Sequence, residues 1–457
     1  MSKKRWISTV CLIMAIVMLA ACSSGGGGTP SPSESPKGQA STGNGSSDGK
    51  QVKIKFHADG ISFKQEDLAP IIDKFQELNP GILVEFVPLN EASAADNVKK
   101  IDLLAASNEQ LDAILLPDAR SYSQRAANGL LEPLDELMKA EGLVYNDEYK
   151  IDTAIEGKYY GLPGSFSQWF VILNKEHLDE AKLEVPKDWT WDEYLAYAKA
   201  MTKGDGPNKR YGTYFHTWID YFVLGLWNQP TQGDLVLADH TVNVDHPGVK
   251  KSLEIRYQAE HVDKSVTPYP EIISQKLSYR PLYFNGQASM LPIGSWMIGE
   301  AGGTNEFTAN FETVFAPMPK NSKEDPDGYT AMSSNFVGVV STSKHKEETY
   351  KFLRFFTTEG LPMMKKYLSS WKKEDTAAAI DVLIQASKDP SKVDKESLLY
   401  TLNASKATTR DIPVAYTEEI NKAYMEQFEL MLLGEQNVEE SLAKAKEQIE
   451  KVVANNK

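Results

Sequence analysis

Three tryptophans in the 457-residue sequence stand beside hydrogen-bonding residues: Ser167-Gln168-Trp169, Thr217-Trp218-Ile219-Asp220 and Gly294-Ser295-Trp296. An indole face stacks well on the C–H-rich face of a pyranose, while hydroxyl, amide and carboxylate neighbours bond its hydroxyls and fix its orientation. The same indoles would also fill a core, since tryptophan buries a large area. For Trp218 and Trp296 both readings stay open. Trp189 and Trp191 flank the start of an amphipathic helix and read as packing residues.

Other chemistry finds little support. There is no phosphate-binding Gly-x-x-x-x-Gly-Lys-Ser/Thr loop, no His-Glu-x-x-His and no Gly-x-Ser-x-Gly nucleophile elbow. The 7 histidines, from His57 to His345, lack the spacing of metal ligands. Asp325-Pro326-Asp327-Gly328 reads as a turn, because Pro326 and a missing distal glutamate break the register of a calcium loop. Both cysteines, Cys11 and Cys22, lie near the start, so the rest of the chain has no disulfide, thiolate metal site or cysteine nucleophile. The 63 acidic residues would allow a glycosidase-type pair of carboxylates about 5–10 Å apart, but no pair is singled out. No catalytic residue, metal or cofactor is expected. A net charge of −14 argues against nucleic acid as a partner, because phosphate binding needs a basic excess.

The elements that must position these residues alternate in type. Val52 to Phe56 has the period of two of a strand, and Leu68, Ile71, Ile72, Phe75 and Leu78 recur at helical spacing until Asn79-Pro80-Gly81. A strand follows over Ile82 to Val87, a helix around Val98 to Ala106, and a short, mostly apolar run over Leu111 to Leu116 that suits a strand buried on both faces. This is the rhythm of a parallel α/β lobe. A second series begins near Gln168: a strand over Phe170 to Leu173, then Thr190-Trp191-Asp192-Glu193 as a capping box opening a helix. Phe336 to Val340 reads as another buried strand, followed by an aromatic-rich helix. The C-terminal third is helical, its last segment opened by a second box at Asn437-Val438-Glu439-Glu440.

The first 22 residues read as a processing segment: basic Lys3, Lys4 and Arg5, an apolar run from Ile7 to Ala21, then Leu19-Ala20-Ala21-Cys22. The run is shorter than the roughly 20 residues a spanning helix needs. Its end resembles a bacterial lipobox, which implies cleavage before Cys22 and lipid attached there. An ordinary signal peptide cut at an Ala-x-Ala-like site is the alternative. Residues 23–50 are rich in Ser, Gly and Pro with little to bury, a flexible tether of about 30 Å r.m.s. span.

Five stretches occur in order: Gly157 to Pro163 with Leu173-Asn174-Lys175; Trp189 to Glu193; Phe284 to Met290 with Gly294-Ser295-Trp296; Ala316-Pro317-Met318-Pro319; and Lys351 to Gly360. Together they resemble the family 1 extracellular solute-binding proteins, the sugar-capturing subunits of ABC importers, a group similar to maltose-binding protein. The resemblance covers about Val52 to Val453. It departs at Tyr367 to Thr376, where the family often has a Gly/Pro-rich loop, and this leaves Trp371 unplaced.

The resemblance implies an α/β, two-lobed periplasmic-binding-protein-like fold of type II, with a hinge of crossing strands and C-terminal helices. Residues 51–163 and 320–360 would form lobe 1 and 168–315 lobe 2, with 361–457 packing mainly on lobe 2. Ligand would lie between the lobes. The positions it points to are Trp296, Trp218, Trp169, Gln168, Asp118, Tyr122, Asp59, Phe63, Ser333 and Asn335, with Arg410 and Tyr416 from the tail. The implied activity is capture of a carbohydrate, an oligosaccharide, for delivery to membrane permease subunits. The chain would act as a monomer that touches the cell membrane only through lipid on Cys22, on its extracytoplasmic face. A sensor without transport and a glycoside-active enzyme are the competing functions.

Overall fold

The structure, a computed structural model, describes residues 51–456 apart from Ala92, Pro207, Asn208, Asp327 and 409–411. The leader, the tether with Cys22, Asp327 of the expected turn, and Arg410 therefore lie outside the described residues.

Alternation builds the first strand, β1 (Val52–Asp59), which buries Ile54, Phe56 and Ala58 completely. Helix α1 (Gln65–Leu78) presents Leu68, Ile71, Ile72 and Phe75 to that strand and stops where the Asn79 side chain donates to the Phe75 carbonyl, 2.9 Å. Strand β2 (Ile82–Leu89) then pairs parallel with β1 along its whole length. Helix α2 (Ala94–Ala106), capped by Ser93, leads to β3 (Ala113–Leu116), buried at every position and parallel to the other side of β1. Strand, helix, strand, helix, strand is thus realised as expected.

A single 13-residue strand, Leu162–Asn174, then runs through both halves of the molecule. Its first half pairs antiparallel with Met332–Val339, ending at Gln168↔Met332, and Met332–Val339 pairs in turn with β3. From Trp169↔Gly294 onward its second half pairs with Ala288–Gly294, and with Thr313–Ala316 on its other edge. Partners change between Gln168 and Trp169, so this strand is the structural link between the two halves. The strand starts well before the expected Phe170. Pro163 and Gly164 read as breakers, yet the register shift between Ser334 and Phe336 accommodates them. The Asn335 carboxamide fills the gap, accepting from the Ser165 N–H at 2.9 Å.

Apolar clusters sit on both sides of this sheet. One joins β1 and α1 to Phe352, Phe356 and Leu361. A second gathers Trp169, Trp189, Trp191 and Tyr194 with the C-terminal helices Thr417–Leu432 and Val438–Asn456. A third holds Phe170 and Ile172 against helix Thr376–Ala386. Trp189 and Trp191 are core residues, as their place at the helix start suggested, and the capping box of Thr190 and Glu193 has both of its bonds. Asn437 and Glu440 cap each other reciprocally as well, at 2.9 and 3.2 Å. Trp371 bridges to Tyr149 and donates its indole N–H to Glu148, 2.8 Å. Among the described residues no helix is long and apolar enough to cross a membrane.

Candidate functional site

Open α/β sheets offer ligand space beyond the carboxyl ends of their strands, and the chain uses that place. Just past β3 opens a cleft of about 150 Å³. Asp118, Arg120 and Asp152 border it on one side, Ile219, Asp220, Trp227 and Asp234 on the other, with Ser333 of the linking sheet between them. Pro413, Thr417 and Asn421 of the C-terminal segment complete the wall.

Asp118 is held by its local structure. It caps helix α3 (Ala119–Ala127), accepting from the Ser121 N–H at 2.8 Å and from Arg120 Nη2 at 2.9 Å. Burial works against its charge, but the Arg120 guanidinium and the Ser121 bonds outweigh burial and keep the carboxyl below its ordinary value. Burial likewise works against Arg120, and Asp118, then Asp220, hold it protonated above the usual guanidinium range. The result is a fixed acceptor and a fixed donor on one wall, suited to hydroxyl groups. Because the folded pKa of Asp118 is depressed, its stabilisation is complete above about pH 4 and is lost as pH falls through the folded value. Asp118→Asn keeps a good cap but loses the charge. It should cost about 1–2 kcal/mol in urea unfolding at pH 7, and the difference from wild type should shrink as pH falls below about 4.

Beside the cleft runs a chain of aromatic contacts. Trp227, on the cleft wall, meets Trp169 edge-on at 5.2 Å, and Trp169 meets Trp296 edge-on at 5.5 Å. Trp296 lies 6.1 Å from Trp218, which packs on His216 at 4.6 Å and on Tyr279 at 5.8 Å. Trp169 is only 2 % exposed, Trp296 partly buried, and Trp218 37 % exposed. All three tryptophan stretches singled out in the sequence therefore converge. The Trp296 ring folds back over Gly294, where a Cβ would come within 1.9 Å of a ring carbon.

The other expected positions fall elsewhere. Among the described members of that set, Asp118 and Ser333 alone border the cleft. Phe63 is a core residue packed on Phe356 and Tyr367, because the chain turns inward after β1. Tyr122 is core too: one helical turn past Asp118 it points inward, stacks on Phe336 at 4.8 Å and donates to the Thr153 carbonyl. Asp59 ties its own loop, accepting from Ile61, Ser62 and Asn97. Asn335 fills the sheet irregularity, and Tyr416 is bonded to His240 at 2.6 Å. Gln168 is 6 % exposed at the partner switch; its backbone N–H donates to Ser295 Oγ at 3.2 Å, and its buried Nε2 has no partner among the described residues. The sequence reading missed Arg120, Asp152, Asp234 and Trp227. Arg120 stands two residues from Asp118, whereas Trp227 lies in the apolar run Leu224–Trp227 and looks like packing alone. Among the described residues no group of three or more His, Cys, Asp or Glu could hold a metal ion.

Comparison with known proteins places this architecture. A binding protein of Brucella abortus (strain 2308) is 25 % identical over 296 residues, which is 62 % of this chain and 66 % of that relative's length. The substrate-binding protein Lmo0181 of an ABC transporter from Listeria monocytogenes, solved with cycloalternan, superposes with a TM-score of 0.72 at 22 % identity, covering 88 % of this chain and 99 % of that one. The cyclic alpha-maltosyl-1,6-maltose binding protein of Arthrobacter globiformis gives 0.68 at 20 % identity, over 89 % and 100 %. The fold is thus the two-lobed one of solute-binding proteins, with the strand Leu162–Asn174 passing between the lobes. The bacterial extracellular solute-binding protein model matches residues 61–361, and the chain belongs to that family.

Proposed function

We propose that this chain captures an oligosaccharide in the cleft and hands it to the membrane subunits of an ABC importer. The observation that carries the reading is a cleft with fixed Asp118 and Arg120 on one wall and Asp220 and Trp227 on the other, backed by four contiguous tryptophans. Paired charges orient hydroxyls and indoles take the apolar sugar faces. Two of the structural relatives are named for binding cycloalternan and cyclic alpha-maltosyl-1,6-maltose. Contacts complete only when the walls meet would shift the population of conformers toward closure. Delivery requires release, so an affinity near micromolar, about −8 kcal/mol, suits the role. The held ionisation of Asp118 favours accepting hydrogen bonds over donating a proton to a leaving group, which supports binding rather than hydrolysis. The proposal includes a monomer anchored by lipid on Cys22, and Cys22→Ser should release the protein from membranes into the soluble fraction.

The test is thermal unfolding of residues 51–457 with cycloalternan, cyclic alpha-maltosyl-1,6-maltose and maltodextrins, alongside amino acids and polyamines. A native-state ligand at 100 times its Kd adds about 2.7 kcal/mol, a midpoint rise of a few degrees. A rise with a saccharide, lost in Trp296→Ala, supports the assignment. A rise only with a non-carbohydrate, or none at all, sinks it.

A further inference from the structure

Arg256, on helix Pro247–Tyr257, is completely buried, at 0 % exposure. A guanidinium is expensive to bury, and a well-packed apolar residue often does better for stability alone. Its ion pair is imperfect: Nη2 reaches Glu260 at 3.2 Å, while Nε has no partner among the described residues. What the guanidinium does reach is a backbone group. Nη1 donates to the carbonyl of Tyr221 at 3.2 Å, and the rings of Phe215 and Phe222 hold the cation in place at 5.0 and 5.5 Å.

That carbonyl belongs to the short 3₁₀ turn Ile219–Phe222, whose last carbonyls have no partner within the turn. The next one, of Phe222, accepts from the hydroxyl of Tyr424 at 3.0 Å, on helix Thr417–Leu432. The Tyr221 hydroxyl itself donates to the Pro292 carbonyl at 2.8 Å. Three buried bonds to three different elements therefore fix one turn. The turn carries Ile219 and Asp220 into the cleft wall, follows Trp218 directly, and packs the Tyr221 ring on Trp169 and Trp218.

We propose that Arg256 and Tyr424 are positioning residues that set the affinity of the cleft by clamping successive carbonyls of the Ile219–Phe222 turn. The proposal rests on the reading of the cleft as the ligand site, and its test separates the two. In the mature chain, Tyr424→Phe removes one hydroxyl and Arg256→Lys keeps the charge beside Glu260 without the planar fork. Leu253→Ala, on the same helix and 1 % exposed, supplies a control that loses stability while both clamping donors stay in place.

Without any ligand, acrylamide quenching of Trp218, taken as the difference from Trp218→Phe in each background, should increase in both clamp variants and stay at wild type in Leu253→Ala. With cycloalternan as probe, the Kd should rise about fivefold in Tyr424→Phe and about tenfold in Arg256→Lys, the scale of one or two hydrogen bonds, and stay unchanged in Leu253→Ala. Unchanged quenching in folded clamp variants overturns the proposal. So does a Kd that moves no further than in the stability-matched control. If no saccharide binds wild type, the carbohydrate reading fails, and the ligand-free quenching still decides whether the clamp holds the turn.

Discussion

Gly294→Ala is expected to lower the unfolding midpoint by several degrees and to weaken saccharide binding at least tenfold. Its backbone is ordinary, with φ near −94°, so the requirement comes from space alone. A Cβ there would sit 1.9, 2.4 and 2.5 Å from three carbons of the Trp296 ring. The ring cannot yield on its own, since it is wedged edge-on against Trp169 and beside Trp218. Overpacking of this kind costs about 1–3 kcal/mol, and the displaced ring breaks the aromatic run behind the cleft. Near-ultraviolet circular dichroism should report a changed indole environment, and calorimetric titration the lost affinity. A variant with wild-type midpoint and Kd would show that the ring has room the structure does not give it.

Acid should weaken the fold at a pH where carboxylates are still ionised. Burial lowers His57, His177 and His216 to about 4 each, assisted by the charge of Lys55 at His57 and of Arg210 at His177. Their surroundings suit neutral rings: His216 Nδ1 accepts from the Thr217 N–H at 2.8 Å, and His177 Nδ1 shares a bond with Ser289 Oγ at 3.0 Å. The unfolded chain protonates these rings near pH 6.5 and the native chain does not. Between pH 6.5 and about 4 the unfolded state therefore holds more protons, and stability falls as pH falls. With three such groups the limiting slope is about 4 kcal/mol per pH unit. Urea unfolding from pH 7.5 to 5 should show it, with the slope smaller by about one proton in His57→Gln. A flat profile over that range would refute neutral burial of these rings.

Local signals made much of the fold legible. The alternation of Val52 to Phe56, the helical spacing of Leu68 to Phe75 and the two capping boxes each act over a few residues, and each is realised. The linking strand was half hidden because Pro163 and Gly164 look like an end when their compensation, Asn335, lies 170 residues from Ser165 in sequence. The site divides the same way. Asp118 could be found from its place after a buried strand. Tyr122 was misplaced because helix phase, not sequence proximity, decides which residue faces the opening. Asp220 stood in view beside Trp218, but nothing local shows that Asp234 and Thr417 reach the same cleft.

The strand order has a bearing on how the molecule comes into being. Met332–Val339 lies between β3 and the first half of Leu162–Asn174, so Leu116 waits for Phe336 before the first sheet can close. On a ribosome, everything up to about residue 330 can emerge while that gap stands open, exposing two unpaired strand edges on a nascent chain. Contacts so distant in sequence form slowly. Half-made chains of this protein are thus adhesive by construction, and the interval between translation of Leu116 and of Val339 is when a holding chaperone would matter most.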